Sequence, residues 1–326
     1  MHQKKRYIAL ALGMSALALV SACGGSSSSS AGKGGKITLG FAQVGAESGW
    51  RTANTKSIQD SAKAAGINLK FSDAQQKQEY QIKAIRSSIQ QKVDVIAFSP
   101  VVETGWDTVL KEAKAAKIPV ILTDRAVDSK DTTLYKSFLG SDFVLEGQKA
   151  GQWLVKEYAG KTGTVNIAQL EGTTGSAPAN DRKSGFESVI QADPKFKIIA
   201  SQTGDFTRAK GKEVMEAFLK AHKDINVLYA HNDDMALGAI DAIEAAGLKP
   251  GVDIKIISID GVHDGIQALA DGKINFIVEC NPLLGPQLME LVKKVVAGEP
   301  VEARIKTKET TFTQAEAKVA LPNRKY

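Results

Sequence analysis

From residue 36 onward, short apolar runs alternate with longer segments in which apolar residues recur every three or four positions. Residues 93–98 form a nearly continuous apolar run, whereas Ile82, Ile85 and Ile89 keep the spacing of one helix face. Continuous runs of this kind are typical of parallel strands that helices cover on both faces. The pattern therefore predicts an α/β fold of parallel sheets with helices on each side.

This rhythm occurs twice along the chain and restarts after Leu139. The predicted strands are 37–44, 68–72, 93–99, 119–123, 164–170, 197–202, 226–230, 255–260 and 275–280. The predicted helices are 50–65, 76–91, 108–117, 147–158, 178–192, 209–222 and 235–246. Two similar series in one chain of 326 residues predict two doubly wound parallel-sheet lobes.

The first 22 residues have the composition of a signal peptide. Three basic residues precede an uncharged apolar run over 8–20, and small residues then lead to Cys23. This run is shorter than the ~20 residues that cross a membrane. Its end resembles a bacterial lipobox, which implies that Cys23 is acylated and that the protein is anchored to the membrane outside the cytoplasm. Residues 23–35 are rich in Gly and Ser and are predicted to be a flexible tether. The alternative is an ordinary secretory signal in which Cys23 is incidental.

Composition places the chain among soluble globular proteins, because 43% of its residues are hydrophobic and 24% are charged. The formal net charge is +6, but removing three basic residues with the signal leaves 39 basic against 36 acidic, or +3. This balance gives no reason to expect a nucleic-acid partner. If Cys23 carries lipid, Cys280 is the remaining thiol, so we expect no disulfide and predict that Cys280 is a small buried apolar residue.

Polar side chains follow several predicted strands at the point where each strand ends. Because the carboxyl ends of parallel strands meet at one edge of a sheet, we expect these groups to converge on a ligand. The groups are Glu47, Ser48, Gly49, Trp50 and Arg51; Asp124 and Arg125; residues 171–176 with Asn180, Asp181 and Arg182; Asp205 and Phe206; residues 231–234; and Asp260 with Gly261.

Planar carboxylate, amide and guanidinium groups satisfy the paired donors and acceptors of sugar hydroxyls, and an aromatic face such as Trp50 packs on the apolar face of a sugar ring. Each feature taken alone has a structural alternative. Asp124 and Arg125 form a surface ion pair in that view, and Asn232 or Asp233 caps a helix. Trp50 is then a core aromatic, and the 260–261 pair is only a turn.

Signals for an enzyme are weak. The sequence has no dinucleotide-binding glycine motif after the first strand, no phosphate-binding loop motif and no nucleophile-elbow motif. His222, His231 and His263 lack the spacing of metal ligands. We therefore expect a binding protein without a metal or a cofactor.

Residues 36–326 as a whole resemble the periplasmic sugar-binding proteins of the ribose-binding, type I class, and in particular the galactofuranose-binding receptors of bacterial ABC importers. The stretches that carry the resemblance are GFAQVGAESGWR, QQKQEYQIKAIRS, PVVETGWDTVLKEAK, DRAVDSKD, SQTGDFTRAKGKEVMEAF, YAHNDDMALGAIDAI, AGLKPG and SIDGV.

This resemblance implies two lobes, 36–140 plus 282–308 and 141–281 plus 309–326, joined by hinge strands at 137–141, 279–282 and 307–310. The ligand contacts that it implies are Glu47, Ser48, Gly49, Trp50, Arg51, Asp124, Arg125, Arg182, Asn232 and Asp260. Phe206 is an additional apolar wall in this scheme, and either Glu279 or Asn281 supplies a polar contact.

The expected function is therefore that of a monomeric lipoprotein receptor that binds a monosaccharide, such as a furanose, and delivers it to the permease and ATPase of an importer. One alternative is a receptor that presents its ligand to a signalling partner. Another is a receptor for fructose, ribose or arabinose. Sugar-responsive repressors share the fold, but residues 1–35 carry a signal and tether where those proteins have a helix-turn-helix.

Overall fold

The computed structural model describes residues 35–326. The predicted signal peptide, the predicted acylation site Cys23 and nearly all of the predicted tether lie outside the described residues. The twelve strands are β1 (Thr38–Gln43), β2 (Asn68–Asp73), β3 (Val95–Phe98), β4 (Val120–Thr123), β5 (Ser137–Gly140), β6 (Val165–Glu171), β7 (Phe196–Thr203), β8 (Val227–Ala230), β9 (Lys255–Asp260), β10 (Phe276–Glu279), β11 (Arg304–Lys306) and β12 (Thr311–Phe312).

Ten α-helices accompany these strands. They are α1 (Gly49–Ala64), α2 (Gln78–Gln90), α3 (Asp107–Ala115), α4 (Phe143–Glu157), α5 (Ala177–Ile190), α6 (Arg208–Ala221), α7 (Asp233–Ala245), α8 (His263–Ala270), α9 (Gly285–Ala297) and α10 (Gln314–Ala320). Among residues 35–326, no helix combines the length and the apolar composition that crossing a membrane requires.

The strands form two six-stranded sheets. The first sheet has the order β11-β5-β4-β3-β1-β2, and the second has the order β12-β10-β9-β8-β6-β7. Every pairing is parallel except that of β10 with the edge strand β12, which is antiparallel. The prediction of two doubly wound parallel sheets is therefore confirmed, with one antiparallel edge strand in addition.

Helices cover both faces of each sheet, and an apolar core fills each of the resulting layers. In the first sheet, Phe41 packs toward α1 and α9 while Phe98 packs on the opposite face with Trp106. In the second sheet, Leu228 and Tyr229 are adjacent in sequence but belong to the cores on opposite faces. This alternation explains why the strands are nearly continuous apolar runs, since each face of a strand is buried.

The chain passes from one sheet to the other three times. The passages are residues 141–142 between β5 and α4, residues 280–284 between β10 and α9, and residues 307–310 between β11 and β12. The Glu309 side chain ties the three passages together, because its carboxylate accepts hydrogen bonds from the Ser141 hydroxyl, from the backbone N–H of Asn281 (3.0 Å) and from the Thr307 hydroxyl (2.7 Å).

The pattern of apolar residues did not predict every element. Helix α4 begins at Phe143, four residues before the predicted start, because the Asp142 side chain caps it by accepting a hydrogen bond from Leu145 N. The pattern also missed β5, α8, α9, α10 and the two edge strands β11 and β12. The two strands have only three and two residues, too few to show a periodicity, and they exist through pairing with β5 and β10.

Candidate ligand-binding site

A small cavity lies between the two sheets, at the carboxyl ends of their strands. Its empty volume is about 280 Å³, counting the space that is open to solvent. Its lining combines charged, amide, hydroxyl and aromatic side chains. These are Glu47, Ser48, Trp50, Arg51, Asp124, Arg125, Phe143, Pro178, Arg182, Phe206, Asn232, Asp260 and Cys280.

The turn from β1 into α1 supplies the first group of lining residues. Ser48 is the N-cap of α1, and its side chain accepts a hydrogen bond of 3.1 Å from Arg51 N. The cap begins the helix so that Trp50 and Arg51 fall in its first turn, where both are buried. The Arg51 guanidinium carbon lies 4.7 Å from the centre of the Trp50 ring, so the cation packs on the aromatic face.

Four charges on the first-sheet side form one network. Arg51 donates to Glu47 at 3.0 Å and to Asp124 at 2.7 Å, and Arg125 lies 3.5 Å from the same Glu47 carboxylate. Burial acts to raise the pKa of Glu47, but the two guanidinium groups outweigh it, so this pKa lies below its ordinary value. Burial, followed by repulsion from Arg51, lowers the pKa of Arg125 to about 10. Glu47 and Arg125 are therefore charged at neutral pH.

Two polar atoms of this network have no hydrogen-bond partner among the described residues. They are Glu47 Oε2 and Arg125 Nε, and both are buried. Leaving such groups unsatisfied is costly inside a protein, so buried polar groups without partners are rare. One of these atoms is an acceptor and the other a donor, and both belong to residues that line the cavity.

Two aspartates at strand ends hold unusual backbone conformations. Asp124, directly after β4, has a φ of +64°, and Asp260, the last residue of β9, has a φ of +119°. Non-glycine residues adopt positive φ infrequently and at a cost, and such residues cluster at functional sites. The conformation turns the chain sharply at the strand end, and both carboxylates line the cavity.

On the second-sheet side, Arg182 from α5 is the central cation. It donates to Glu146 on α4 at 2.7 Å and to the His231 carbonyl at 2.6 Å, and it lies 3.6 Å from Asp260. Burial raises the pKa of Glu146 to about 8, against the attraction of Arg182. Burial also raises the pKa of Asp260 well above its ordinary value.

Asn232 and Phe206 complete this side. Asn232 is the N-cap of α7: its oxygen accepts from Met235 N at 3.0 Å and its amide donates to the Phe206 carbonyl at 3.1 Å. Asn232 is therefore a helix cap, as the structural alternative predicted, and it also lines the cavity. The Phe206 ring faces the opposite wall, where the Arg125 guanidinium carbon lies 5.3 Å from its centre.

Direct contacts join the two sides. Gly49 N donates to the Asp234 carboxylate at 2.8 Å, and the Asn180 amide donates to the Glu103 carboxylate at 2.6 Å. Glu103 N also donates to the Gly175 carbonyl at 2.9 Å. The first-sheet and second-sheet sides of the cavity are therefore in direct contact at Gly49 and at Glu103.

The α1 helix is in addition bonded to the second passage between the sheets. The Trp50 indole N–H donates to the Cys280 carbonyl at 2.7 Å, and the Asn54 amide donates to the Pro282 carbonyl at 2.9 Å. Both acceptors belong to residues 280–284. The aromatic wall of the cavity is thus attached directly to this passage.

Nine of the ten residues expected to contact ligand line the cavity, as does Phe206. The tenth, Gly49, does not, since its amide is directed to Asp234. Glu279 and Asn281 also lie outside the lining: Glu279 accepts from Arg324 at 2.8 Å, and the Asn281 side chain accepts from Leu283 N at 2.9 Å.

Cys280 occupies the cavity wall between those two residues and is 2% exposed. Side chains alternate between the faces of an extended chain, so a cavity-facing residue 280 directs 279 and 281 elsewhere. Sequence reasoning also missed Phe143 and Pro178, which lie in the first turns of α4 and α5 and carry no local signal of a site.

One set of possible metal-ligating side chains occurs within residues 35–326, formed by Glu146, Cys280 and Glu309, with ligand atoms within 4.8 Å of one another. Its carboxylates are already engaged, Glu146 with Arg182 and Glu309 with Ser141 and Asn281. The thiol lies 3.3 Å from the Ser141 hydroxyl. These side chains therefore take part in a hydrogen-bonded junction between the passages that connect the two sheets.

Comparison with known proteins places these features in a family. The model of the periplasmic binding protein domain matches residues 39–300. The chain is 52% identical over 293 residues to the galactofuranose-binding protein YtfQ of Escherichia coli, which covers 89% of this chain and 92% of that protein.

Two solved structures have a similar fold. One is a Mycobacterium smegmatis protein in complex with β-D-fucofuranose, with 68% identity, a TM-score of 0.88 and coverage of 89% of this chain and 95% of that chain. The other is the binding component of the arabinose ABC transporter of Shewanella sp. ANA-3, bound to α- and β-L-arabinofuranose, with 50% identity, a TM-score of 0.85 and coverage of 89% and 96%. The relatives are binding proteins rather than enzymes. The chain belongs to the periplasmic binding protein family.

Proposed function

We propose that this protein is the extracytoplasmic receptor of an ABC sugar importer and that it binds a monosaccharide in furanose form, such as galactofuranose. The observation that carries the proposal is the cavity itself, a small space walled by buried ionic and amide groups from both sheets. Three relatives with at least 50% identity, named for or crystallised with furanose sugars, support the same ligand class.

The chemistry of the wall favours a neutral polyhydroxylated ligand. Glu47, Asp124 and Asp260 offer acceptors, Arg125 and Arg182 offer donors, and each hydroxyl of a sugar needs both kinds of partner. Cations and anions balance within the wall, so the site has no excess charge that a charged ligand would have to neutralise. Trp50 and Phe206 provide flat apolar surfaces for the C–H face of a sugar ring.

Binding is proposed to close two lobes, 36–140 plus 282–308 and 141–281 plus 309–326. The three passages between the sheets, at residues 141–142, 280–284 and 307–310, support these boundaries. Because each lobe carries half of the wall, a sugar binds the closed arrangement better than the open one and shifts the population toward it. The permease then distinguishes a loaded receptor by its closed shape.

The remaining parts of the proposal concern location and assembly. A signal peptide over 1–22, acylation of Cys23 and a tether over 23–35 would hold a monomeric receptor at the outer face of the cell membrane. The lipobox-like end of the signal supports the acylation. Globomycin-sensitive processing and release of the C23S variant from membranes are the expected results, and a wild-type protein that is soluble after fractionation would contradict the anchor.

Calorimetry with purified sugars tests the ligand class. We expect galactofuranose, fucofuranose or L-arabinofuranose to bind with a micromolar or smaller Kd, about −8 kcal/mol or better. Methyl galactopyranoside, which is locked in the six-membered ring, should bind much more weakly. No heat and no thermal shift with any furanose, ribose or fructose would refute the proposal.

A pair of arginine variants tests whether binding occurs in this cavity. R125A should abolish measurable binding, because it removes one of the two cations beside Glu47 and a donor to the sugar hydroxyls. R86A is the matched control, since Arg86 forms an exposed ion pair with Glu112 on the surface. An affinity of R125A equal to that of R86A would place the binding site elsewhere.

A further inference from the structure

Asp233 is a buried carboxylate next to the cavity but not part of its lining. It follows the cap residue Asn232 as the first residue of α7, and none of its surface is exposed. An ionised carboxylate is rarely buried unless it is hydrogen-bonded, so the partners of Asp233 indicate what it does.

All three hydrogen bonds of Asp233 go to the turn that contains Asp260. Its Oδ2 accepts from Gly261 N at 2.7 Å and from Val262 N at 2.8 Å, and its Oδ1 accepts from the Ser258 hydroxyl at 2.6 Å. These donors flank Asp260 on both sides along the chain. The carboxylate therefore clamps the end of β9 to the start of the following segment.

Asp260 needs such a clamp because of its backbone. Its φ of +119° is a conformation that a residue with a Cβ adopts only when its surroundings enforce it. We infer that Asp233 is a positioning residue for the ligand, which acts by holding Asp260 in the backbone conformation that directs its carboxylate into the cavity. The inference rests on the proposed sugar-binding function.

The surroundings of Asp233 fit this role. Gly265, in the first turns of α8, leaves the space that the carboxylate occupies, since a Cβ there would lie 2.3 Å from Asp233 Oδ2. A side chain at residue 265 would therefore displace the clamp. The close approach of Gly265, the three hydrogen-bond donors and the complete burial together form a specific site for the Asp233 carboxylate.

The clamp also has an electrostatic consequence for Asp260. Burial raises the pKa of Asp260, Arg182 on α5 opposes the shift, and the nearby acids add to it. The groups that face Asp260 are Arg182 on α5, Asp233 and Asp234 on α7, Glu146 on α4 and Cys280 after β10. Removing the charge of Asp233 while keeping its shape should therefore lower the pKa of Asp260.

Three variants separate positioning from other roles, with the furanose that the wild-type protein binds as the probe. D233A should raise the Kd by about 10-fold or more at pH 7, because three donors lose their acceptor. D233N should recover most of that loss, since its oxygen still accepts from the two amides and its NH₂ group donates to the Ser258 oxygen. S258A, which removes one donor, should have a smaller effect than D233A. D241N is the matched control, because Asp241 is an exposed aspartate on the same helix.

The pH profile is the measurement that a merely structural role would not change. Sugar binding uses ionised Asp260 as an acceptor, so affinity falls as acid protonates it, and in D233N this fall should occur at lower pH than in the wild type. The inference is overturned if D233A binds as tightly as D241N. It is also overturned if D233N binds as weakly as D233A or has the wild-type pH profile. If the wild-type protein binds no sugar, the proposed function fails instead.

Discussion

Both walls of the cavity are lined by charged side chains, but the contacts that hold those side chains in place differ between the two walls. On the first-sheet side, Glu47, Arg51, Asp124 and Arg125 pair mainly with one another. On the second-sheet side, three lining residues are held by groups that lie behind the wall. Arg182 is held by Glu146, Asn232 by Met235 N, and the Asp260 turn by Asp233.

This difference predicts how each wall responds to substitution. In a closed network, every member is both a ligand contact and a structural partner, so binding and stability fail together. In a wall with supporting residues, a ligand contact can change without exposing another buried charge. Substitutions at Arg51 and Asp260 distinguish these two cases.

The largest effect is expected for Arg51. R51A removes the hydrogen-bond donor to both Glu47 and Asp124 and leaves Arg125 to balance two buried carboxylates. Breaking a buried ion pair in this way costs about 3–5 kcal/mol. We expect both the free energy of unfolding in urea and the sugar affinity to fall. R86A, on the exposed surface, is the control, and a loss of binding without a loss of stability would show that the network is not closed.

A smaller effect is expected for Asp260, where a substitution should lower the sugar affinity without lowering the free energy of unfolding. D260N keeps the shape of the side chain, and Asn tolerates positive φ better than most residues. Affinity should fall by about 1–3 kcal/mol as a charged acceptor is lost. Because burial raises the pKa of Asp260, keeping its carboxylate ionised costs the native state free energy, so unfolding of D260N should require no less urea than unfolding of the wild type. A parallel loss of stability would make the two walls alike.

The smallest expected effect is a change in how the free energy of unfolding depends on pH, and it involves His231 on the second-sheet side. Burial lowers the pKa of His231 well below its ordinary value, and its carbonyl accepts from Arg182. The unfolded chain therefore binds a proton below about pH 6.5 that the native state does not bind. This contribution to stability is complete above that pH and is lost as pH falls, by up to about 1.4 kcal/mol per pH unit. Urea unfolding of H231Q between pH 7 and pH 5 should show a weaker loss, and an unchanged slope would exclude His231 as its source.

Much of the fold and the first wall could be predicted from local patterns. The apolar runs indicate the buried strands, and the residues after β1 and β4 follow from the rule that ligands bind at strand carboxyl ends. The contacts of the supporting residues could not be predicted in this way, although the rule selected residues 231–234 as a group. Glu146 lies 36 positions before Arg182, and Asp233 lies 27 positions before Asp260. Neither distance leaves a periodic signal, because both contacts form only when separate helices pack at one edge of the sheet.

The bonds from the Trp50 indole to the Cys280 carbonyl and from the Asn54 amide to the Pro282 carbonyl attach the amino end of α1 to the second passage between the sheets. If the proposed lobes open when the sugar leaves, we expect the Trp50 ring to move together with residues 280–284. The aromatic face of the site would then be retained from one sugar to the next.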